Sequence, residues 1–382
     1  MTNPFDTVSA DAILDGTATD AYFERTERTL DRADRNQNVV AEVTVDQFPT
    51  GEFEAFGGVK DVAHLFEGLA VDADALAEGQ LFDGGPVLRI KGDYLEFARF
   101  ETSLLGFLSQ ASAFTTNALR ARRAAPESLV LSFGARHVHP AITPVVERSG
   151  LIAGLDGFSH VAAGEVLGRE AGGTMPHALV ICFGRGGQEA AWAAFDEAVD
   201  EDVPRVALCD TFTDEKDETV RAAETLGDAL DSVRLDTTGS RRGDFRHIVR
   251  EVRWELDARG REDVGIFLSG GLTPGELRHL RDVADGFGIG SYVTDADPVD
   301  FGLDIVEVDG DPIAKRGKLS GVKAVYRTLD GGHHVGLASR DGPEDGEELL
   351  KPLVRDGEIV REFDIDEAAA RARADAEAVG FE

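Results

Sequence analysis

The chain is poor in cysteine, with only Cys182 and Cys209 among its 382 residues. The two do not form a Cys-x-x-Cys pair, so a disulfide framework and a cysteine-based zinc site are excluded. Each lies in an apolar run that is typical of a buried strand. We therefore predict that both are small core residues.

The chain also lacks an apolar run long enough to cross a bilayer. Its first residues contain no basic segment followed by an apolar one, as a secretory leader would. We expect a soluble, cytoplasmic protein. An apolar fraction of 42% is sufficient for a large core, and the length of 382 residues predicts two packed domains.

Positive charge is scarce. The 39 Lys and Arg residues, of which seven are lysines, stand against 72 Asp and Glu residues, and the formal net charge is −33. Such a charge repels nucleic acid and anionic membranes, so neither is an expected partner. Acidic residues spread along the whole chain favour a halophilic protein; an ordinary acidic bacterial protein is the alternative.

The pattern of apolar residues divides the chain into three parts. We predict an N-terminal α+β domain (1–105), an α/β domain with phosphate sites (106–302), and a C-terminal segment that returns to the N-terminal domain (303–382). The middle part alternates strands with helices, which predicts a parallel sheet, and the number of units favours a closed barrel over an open doubly wound sheet. Its predicted strands are 129–133, 178–183, 206–209, 233–236, 264–269 and 289–293, with a helix at 274–287.

Two glycine-containing turns lie at the last two of these strands. Ser269-Gly270-Gly271 ends one strand and opens a helix, and Gly288 and Gly290 follow one unit later. Free backbone N–H groups at such turns bind anions. Either turn alone is explained by a tight change of chain direction, but a pair on adjacent late strands favours a phosphate site.

Carboxylates also follow predicted strands. Asp210 and Asp236 are placed to stabilise developing positive charge or to hold Mg²⁺ at one sheet edge; helix capping is the alternative. His177 ends a Gly-Thr-Met-Pro-His loop just before a predicted strand, a context that favours catalysis over a structural role. His137 and His139 have the spacing of metal ligands, but without an evident third ligand we predict that they are structural.

Aromatic and basic residues complete the candidates. Phe133 and Arg136 end the first strand of the barrel and suit stacking and charge pairing with a flat anionic ring; a core Phe and a surface Arg are the alternative. Lys315 and Lys318 concentrate positive charge in a chain that avoids lysine. A pyrophosphate-bearing ligand is the expected reason, with a solvated basic loop as the alternative.

In this order, the motifs resemble the nicotinate phosphoribosyltransferase family, and the chain resembles a haloarchaeal-type member of it. That family belongs, with nicotinamide and quinolinate enzymes, to the type II phosphoribosyltransferases. The resemblance extends from about residue 19 to about residue 321. It implies an irregular or incomplete α/β barrel plus an α+β domain built from both chain termini. It also implies a homodimer or higher oligomer with shared active sites.

The resemblance assigns a role to each matching residue. Tyr22, in a Thr-Asp-Ala-Tyr motif, would reach the pyridine ring in the neighbouring subunit, with Phe133 on the other ring face and Arg136 nearby. Ser159 lies where nicotinamide enzymes have an aspartate that would repel a carboxylate, so serine favours an acid substrate. His177 matches a histidine that ATP phosphorylates.

Further matches concern the sugar and its phosphates. Arg234 and Asp236 match an Arg-x-Asp motif that contacts ribose and phosphate, and Asp210 matches another ribose-side acid. The matches to the 5′-phosphate loops and then to the pyrophosphate region are Gly270, Gly271, Gly288, Gly290, Lys315 and Lys318.

The implied activity forms nicotinate mononucleotide and pyrophosphate from nicotinate and phosphoribosyl pyrophosphate in NAD salvage, with Mg²⁺ and with ATP as co-substrate. His177, Asp210 and Asp236 are the predicted catalytic residues. The alternatives are a decarboxylating quinolinate phosphoribosyltransferase and a non-catalytic protein that binds phosphoribosyl pyrophosphate. A sugar-phosphate aldolase would need a lysine on a barrel strand, and the predicted strands contain none.

Overall fold

The chain divides into two compact units, each described here by itself. The first, the antiparallel-sheet unit, comprises Met1–Leu119, Leu151–Gly154 and Ala296–Glu382; the second, the parallel-sheet unit, comprises Arg120–Gly150 and Leu155–Asp295. The computed structural model describes residues 5–45, 49, 53–328, 331–340, 342–343 and 346–382.

Strands are numbered in chain order over the described residues. They are β1 Asn38–Val45, β2 Glu54–Ala55, β3 Val71–Ala75, β4 Leu81–Phe82, β5 Pro86–Asp93, β6 Leu129–Ser132, β7 Gly157–Phe158, β8 Val206–Leu208, β9 Ser232–Leu235, β10 Gly265–Leu268, β11 Gly286–Ile289, β12 Phe301–Val308, β13 Asp311–Pro312, β14 Lys323–Arg327, β15 His333–Leu337, β16 Glu347–Glu348, β17 Lys351–Arg355 and β18 Glu358–Ile359.

The α-helices are numbered in the same way, and no helix of the described residues has the length and apolar character to cross a membrane. They are α1 Ala10–Leu14, α2 Ala21–Ala33, α3 Val59–Leu65, α4 Tyr94–Phe97, α5 Glu101–Ala124, α6 Thr143–Ile152, α7 Val161–Leu167, α8 His177–Cys182, α9 Gln188–Ala198, α10 Glu215–Leu226, α11 Gly239–Arg242, α12 Phe245–Asp257, α13 Pro274–Leu280, α14 Ser291–Thr294 and α15 Ile365–Ala378.

The antiparallel-sheet unit is built on a sheet in the order β13-β12-β1-β5-β3-β17-β18. Neighbouring strands in it run antiparallel. Strand β3, of sequence VDADA, buries Val71, Ala73 and Ala75 and turns its aspartates away from the core, as the two-residue period of a strand dictates. Apolar residues of α5, such as Leu104 and Leu108, complete this core.

The parallel-sheet unit has a sheet in the order β7-β6-β11-β10-β9-β8. All five pairings are parallel. Strand β11 is buried throughout between β6 and β10, as expected for the middle of a parallel sheet. The prediction of a mixed α/β protein with a parallel sheet is confirmed, and the carboxyl ends of β6, β9, β10 and β11 lie along one edge.

One predicted strand of this unit is wrong. Residues 178–183 are not a strand; helix α8, His177–Cys182, follows Pro176 at its N-cap position. A short apolar run does not distinguish a strand from a helix by periodicity alone. Much of this run is exposed, including Ile181 and Phe183. Cys182 is exposed with it, so its predicted place in the core is also wrong, whereas Cys209 is buried as predicted.

The predicted boundaries around β11 also need correction. The helix expected at 274–287 ends as α13 at Leu280, and Phe287 lies in β11 instead. The strand expected at 289–293 begins at Gly286, ends at Ile289, and is followed by the short helix α14. Strand β11 contains Gly286 and Gly288, which allow neighbouring backbones to approach closely. Pairing with neighbouring strands is not visible in a local sequence pattern, so the boundaries of β11 were not predicted.

Candidate active site

A cavity of about 440 Å³ lies at the carboxyl edge of the parallel sheet. The residues lining it come from strands β9 and β11, from the loops that follow β6, β9, β10 and β11, and from the segments after β7 and α7. This placement agrees with the general position of sites in parallel α/β proteins. The lining residues are Phe133, Ala135, Arg136, His137, Ser159, Gly173, Thr174, Arg234, Asp236, Ser269, Gly270, Gly271, Gly288, Gly290 and Ser291.

Phe133 follows β6 and lies across the neighbouring strand β11. Its backbone N–H donates to the Ile289 carbonyl at 2.7 Å. A Cβ at Gly288 would come within 2.3 Å of the Phe133 ring. The ring therefore occupies its position only because residue 288 has no side chain. The Arg234 guanidinium carbon lies 5.4 Å from the ring centroid, within the range of a cation–π contact.

Arg234, at the end of β9, organises the polar side of the cavity. Its Nη2 donates to Asp236 Oδ2 at 3.0 Å, its Nε to Ser269 Oγ at 2.9 Å, and its Nη1 to Thr174 Oγ1 at 2.7 Å. Ser269 Oγ in turn donates to Asp236 Oδ1 at 2.9 Å. Burial lowers the pKa of Arg234, against the opposing effect of Asp236 and Asp210. Arg234 and Ser269 thus hold the Asp236 carboxylate in one orientation.

Asp210 and His177 form a pair next to this network. The Asp210 carboxylate is almost fully buried; it accepts from the Asp236 backbone N–H at 2.7 Å and lies 2.9 Å from His177 Nε2. His177 Nδ1 lies 3.9 Å from Asp236 Oδ2. The hydrogen bond to Asp210 raises the pKa of His177, and burial opposes it. The three predicted catalytic residues are therefore brought together, although only Asp236 of the three lines the cavity.

In the part of the chain that the structure describes, the turn after β10 has two adjacent backbone N–H groups without an acceptor. Gly270 and Gly271 have φ values of +97° and +68°, a conformation in which side chains are strained. Within the described residues, their backbone N–H groups have no hydrogen-bond acceptor. Thr273 and Glu276 then close the start of α13 with a reciprocal capping box. Successive backbone N–H groups that remain without an acceptor in a turn can donate hydrogen bonds to a bound anion, and they are therefore available to an anionic ligand here.

Three predicted site residues lie in the antiparallel-sheet unit. Tyr22, on α2, is 54% exposed. Lys315 Nζ and Lys318 Nζ lie 2.6 and 3.2 Å from the two carboxylate oxygens of the buried Asp304. Burial would raise the pKa of Asp304, but hydrogen bonds from the two lysines outweigh it and lower the pKa. Both lysines therefore have an ion-pair partner within the chain, the carboxylate of Asp304.

Sequence reasoning missed several residues that support the site. Arg242 reaches the turn after β10. Glu218, on α10, is fully buried and accepts from the backbone N–H groups of residues 211–213 at 2.7–2.9 Å. It thereby orders the loop that follows Asp210. His137, which we predicted to be structural, lines the cavity beside Arg136. Thr174, which also lines the cavity, had a local signal, since it belongs to the loop that ends in His177.

Two family models match this chain. The N-terminal domain of quinolinate phosphoribosyl transferase matches residues 20–112, and the C-terminal domain of the same family matches residues 114–304. Together they span most of the chain.

Individual phosphoribosyltransferases and a pyrophosphorylase are similar to this chain in structure or in sequence. The crystal structure of nicotinate-nucleotide pyrophosphorylase from Pyrococcus furiosus is 48% identical with a TM-score of 0.95, and the match covers 100% of both chains. The structure of human nicotinic acid phosphoribosyltransferase has a TM-score of 0.79 at 22% identity, covers 94% of each chain, and indicates the fold alone. Nicotinate phosphoribosyltransferase pncB1 of Mycobacterium tuberculosis is 30% identical over 76% of this chain. The chain spans 64% of the length of that relative.

These matches correct the expected assignment to the nicotinate phosphoribosyltransferase family, and with it the expected nicotinate activity. The quinolinate models match residues 20–112 and 114–304, and the Pyrococcus match covers the whole chain at 48% identity, whereas the match to pncB1 covers 76% of the chain at 30% identity. The chain belongs to the quinolinate phosphoribosyl transferase family.

Proposed function

We propose that this protein is a quinolinate phosphoribosyltransferase. The observation that carries the proposal is the composition of one cavity: a paired-glycine turn, the carboxylate of Asp236, and the cation-forming side chains of Arg136 and His137. Family membership supports it. The similarity to the Pyrococcus protein, a nicotinate-nucleotide pyrophosphorylase, also supports it.

In the proposed reaction, the ring nitrogen of quinolinate forms a bond to the anomeric carbon of phosphoribosyl pyrophosphate. The bond to pyrophosphate breaks as this bond forms. The carboxyl group next to the ring nitrogen then leaves as CO₂, a proton takes its place, and nicotinate mononucleotide results. The transition state has positive charge on the ribose, which a fixed carboxylate stabilises. Asp236, held by Arg234 and Ser269, is the group for this role.

The ring acid needs cations and a flat surface. Within the described residues, the side chains of Arg136 and His137 have no acidic partner, and both face the cavity. Quinolinate carries two adjacent carboxylates, and two neighbouring cation-forming groups suit that charge better than one. Phe133 supplies the stacking surface, with Ser159 at the edge of the cavity.

The phosphate groups have their own proposed positions. We assign the 5′-phosphate to the turn formed by Ser269, Gly270 and Gly271, with Gly288 and Gly290 leaving room beside it. Lys315 and Lys318 stay proposed pyrophosphate ligands. Mg²⁺ is proposed as the ion carried on the pyrophosphate, since Mg²⁺ in such sites is held largely by substrate phosphates and water. An effect of ATP through His177 stays a prediction.

The proposal also includes a finer architecture. Six parallel strands with helices between them support an irregular or incomplete α/β barrel at 106–302. We propose that the segments 1–105 and 303–382 form the second domain. The exposed Tyr22 supports a homodimer or higher oligomer with shared active sites. Sedimentation of the purified protein tests the oligomer: a monomer at all concentrations would refute it.

A comparison of three candidate substrates tests the proposed function directly. Quinolinate, nicotinate and nicotinamide are each incubated with phosphoribosyl pyrophosphate and Mg²⁺ in multimolar KCl, with and without ATP, and the mononucleotide product is quantified by chromatography. We expect product from quinolinate. Product from nicotinate but not quinolinate would overturn the substrate, and binding of phosphoribosyl pyrophosphate without turnover of any acid would make the protein a binding module.

A further inference from the structure

Arg242 is a buried cation next to the turn that follows β10. It is the last residue of the short helix α11 and is 9% exposed. Its guanidinium carbon lies 4.6 Å from the centroid of the Phe245 ring, and Nη1 lies 3.3 Å from Glu276 Oε1. A planar guanidinium held on one face by a ring and at one edge by a carboxylate has little freedom to rotate.

The remaining donors of Arg242 bind backbone carbonyls from two loops. Nε donates to the Thr237 carbonyl at 3.0 Å, in the loop after β9. Nη2 donates to the carbonyls of Ser269 and Gly270, in the turn after β10. One side chain therefore bridges the carboxyl ends of two adjacent parallel strands.

These bonds set the direction of the peptide groups in the turn. The carbonyls of Ser269 and Gly270 point to Arg242, so the N–H groups of the peptides they belong to point the opposite way. Gly270 and Gly271 line the cavity, whereas Arg242 is absent from its described lining. The N–H groups of Gly270 and Gly271 therefore point away from Arg242, and both residues line the cavity.

The turn is also confined from the side of Asp236. A Cβ at Gly270 would lie 2.9 Å from Asp236 Oδ1 and 3.0 Å from Arg242 Nη2. The turn therefore sits between the carboxylate proposed to face the ribose and the guanidinium that holds its carbonyls. A shift of Arg242 would move the anion-binding N–H groups relative to that carboxylate.

We propose that Arg242 is a positioning residue for recognition of the substrate's phosphate: it holds the Ser269–Gly271 turn so that its N–H groups bind a phosphate monoester of the sugar. The inference rests on the proposed function, because it takes the phosphate to be that of phosphoribosyl pyrophosphate. It adds to that function a residue that touches neither substrate. Lysine cannot replace arginine here, since one ammonium group cannot bridge the carbonyls of two loops in a fixed plane.

The test compares Arg242→Lys with the wild type and with Arg253→Lys. Arg253 is a matched control, because it also donates to two loop carbonyls, those of Val264 and Arg261, and lies outside this cavity. For Arg242→Lys we expect the KM for phosphoribosyl pyrophosphate to rise by about tenfold, as expected when charge-assisted hydrogen bonds are lost. The KM for the ring acid should change less than twofold, and Arg253→Lys should leave both values unchanged.

A merely structural role predicts a different pattern. It would lower the melting temperature and affect both KM values together, and that result, or an unchanged KM for phosphoribosyl pyrophosphate, would overturn the inference. If Arg242→Lys does not fold, Phe245→Leu removes the ring that supports the guanidinium and should raise the same KM by a smaller factor. An unchanged KM in that variant would also overturn it.

Calorimetry separates this inference from the proposed function. The Kd of ribose 5-phosphate is measured without any ring acid for the wild type and both arginine variants. A Kd that weakens about tenfold only in Arg242→Lys supports the inference even if the wild type turns over no acid, a result that would refute the proposed function alone. Equal Kd values in all three proteins would overturn the inference even if turnover of quinolinate is observed.

Discussion

The contact between Gly288 and Phe133 allows a precise perturbation of the cavity. In Gly288→Ala, the new Cβ would lie 2.3 and 2.4 Å from two ring carbons of Phe133. Carbon atoms pack at about 3.5–4.0 Å, so the ring must move by roughly 1 Å or more. The ring also contacts the Arg234 guanidinium, whose carbon lies 5.4 Å from the ring centroid, and the Phe267 ring, whose centroid lies 5.9 Å away. We therefore expect the ring to be displaced rather than merely rotated.

The expected magnitudes follow from these contacts. Overpacking of this kind costs about 1–3 kcal/mol, partly offset by the lower entropy of the unfolded chain when glycine becomes alanine. If the ring no longer stacks on the substrate, a further contribution of about 0.5–1.5 kcal/mol to binding is lost, which is roughly a two- to tenfold rise in KM for the ring acid. The KM for phosphoribosyl pyrophosphate should change much less.

The assay pairs steady-state kinetics for both substrates with thermal unfolding. Gly106→Ala is the matched control, because a Cβ at Gly106, within α5, meets no atom within 4 Å. Alanine is the better helix former there, so the control should be as stable as the wild type or more so, by up to about 1 kcal/mol. A Gly288→Ala protein with wild-type stability and wild-type KM for the ring acid would refute the reasoning.

Three further predictions follow from buried and surface charge. Asp210→Asn should lower the pKa of His177, because the hydrogen bond to Asp210 is the main cause of its rise; NMR titration of the ring checks this, and an unchanged pKa would contradict it. Burial raises the pKa of Glu147, on α6, to about 7. The folded state therefore holds the proton more tightly than the unfolded state, and stability should fall as pH rises from about 4.5 to 7. Glu147→Gln should remove that part of the pH dependence in urea unfolding, and an identical pH profile would count against it. Finally, the net charge of −33 predicts that removal of salt lowers both melting temperature and activity, since salt screens repulsion between carboxylates; full activity without added salt would exclude this.

Much of the parallel-sheet unit could be predicted from the sequence, because local patterns determine it. Strands alternating with helices predicted the parallel sheet, and residues at strand ends such as Phe133, Asp236 and Gly270 do meet in one cavity. The carboxyl ends of adjacent parallel strands lie at one edge of the sheet. Residues that follow different strands in the sequence are therefore close together in space. Helix α8 was not predicted, because a short apolar run has the same sequence pattern whether it is an exposed helix or a buried strand.

The supporting contacts could not be predicted, because they join distant parts of the chain. No sequence motif distinguishes Arg242 from the other arginines, because its carbonyl partners lie at positions 269 and 270. Lys315 and Lys318 suggested a bound anion, but their pairing with the buried Asp304 is visible only in the fold. The proposed substrate also differs from the predicted one, because the prediction from Ser159 favours an acid over an amide and does not distinguish one ring carboxylate from two.

Release of CO₂ from quinolinate is the most direct test of the proposed activity. Quinolinate labelled in the carboxyl group next to the ring nitrogen is incubated with the protein, phosphoribosyl pyrophosphate and Mg²⁺, and labelled CO₂ is measured against pyrophosphate. A quinolinate phosphoribosyltransferase releases the two in equal amounts, with nicotinate mononucleotide as the product. Formation of the mononucleotide from nicotinate, with no labelled CO₂ from quinolinate, would contradict the proposal.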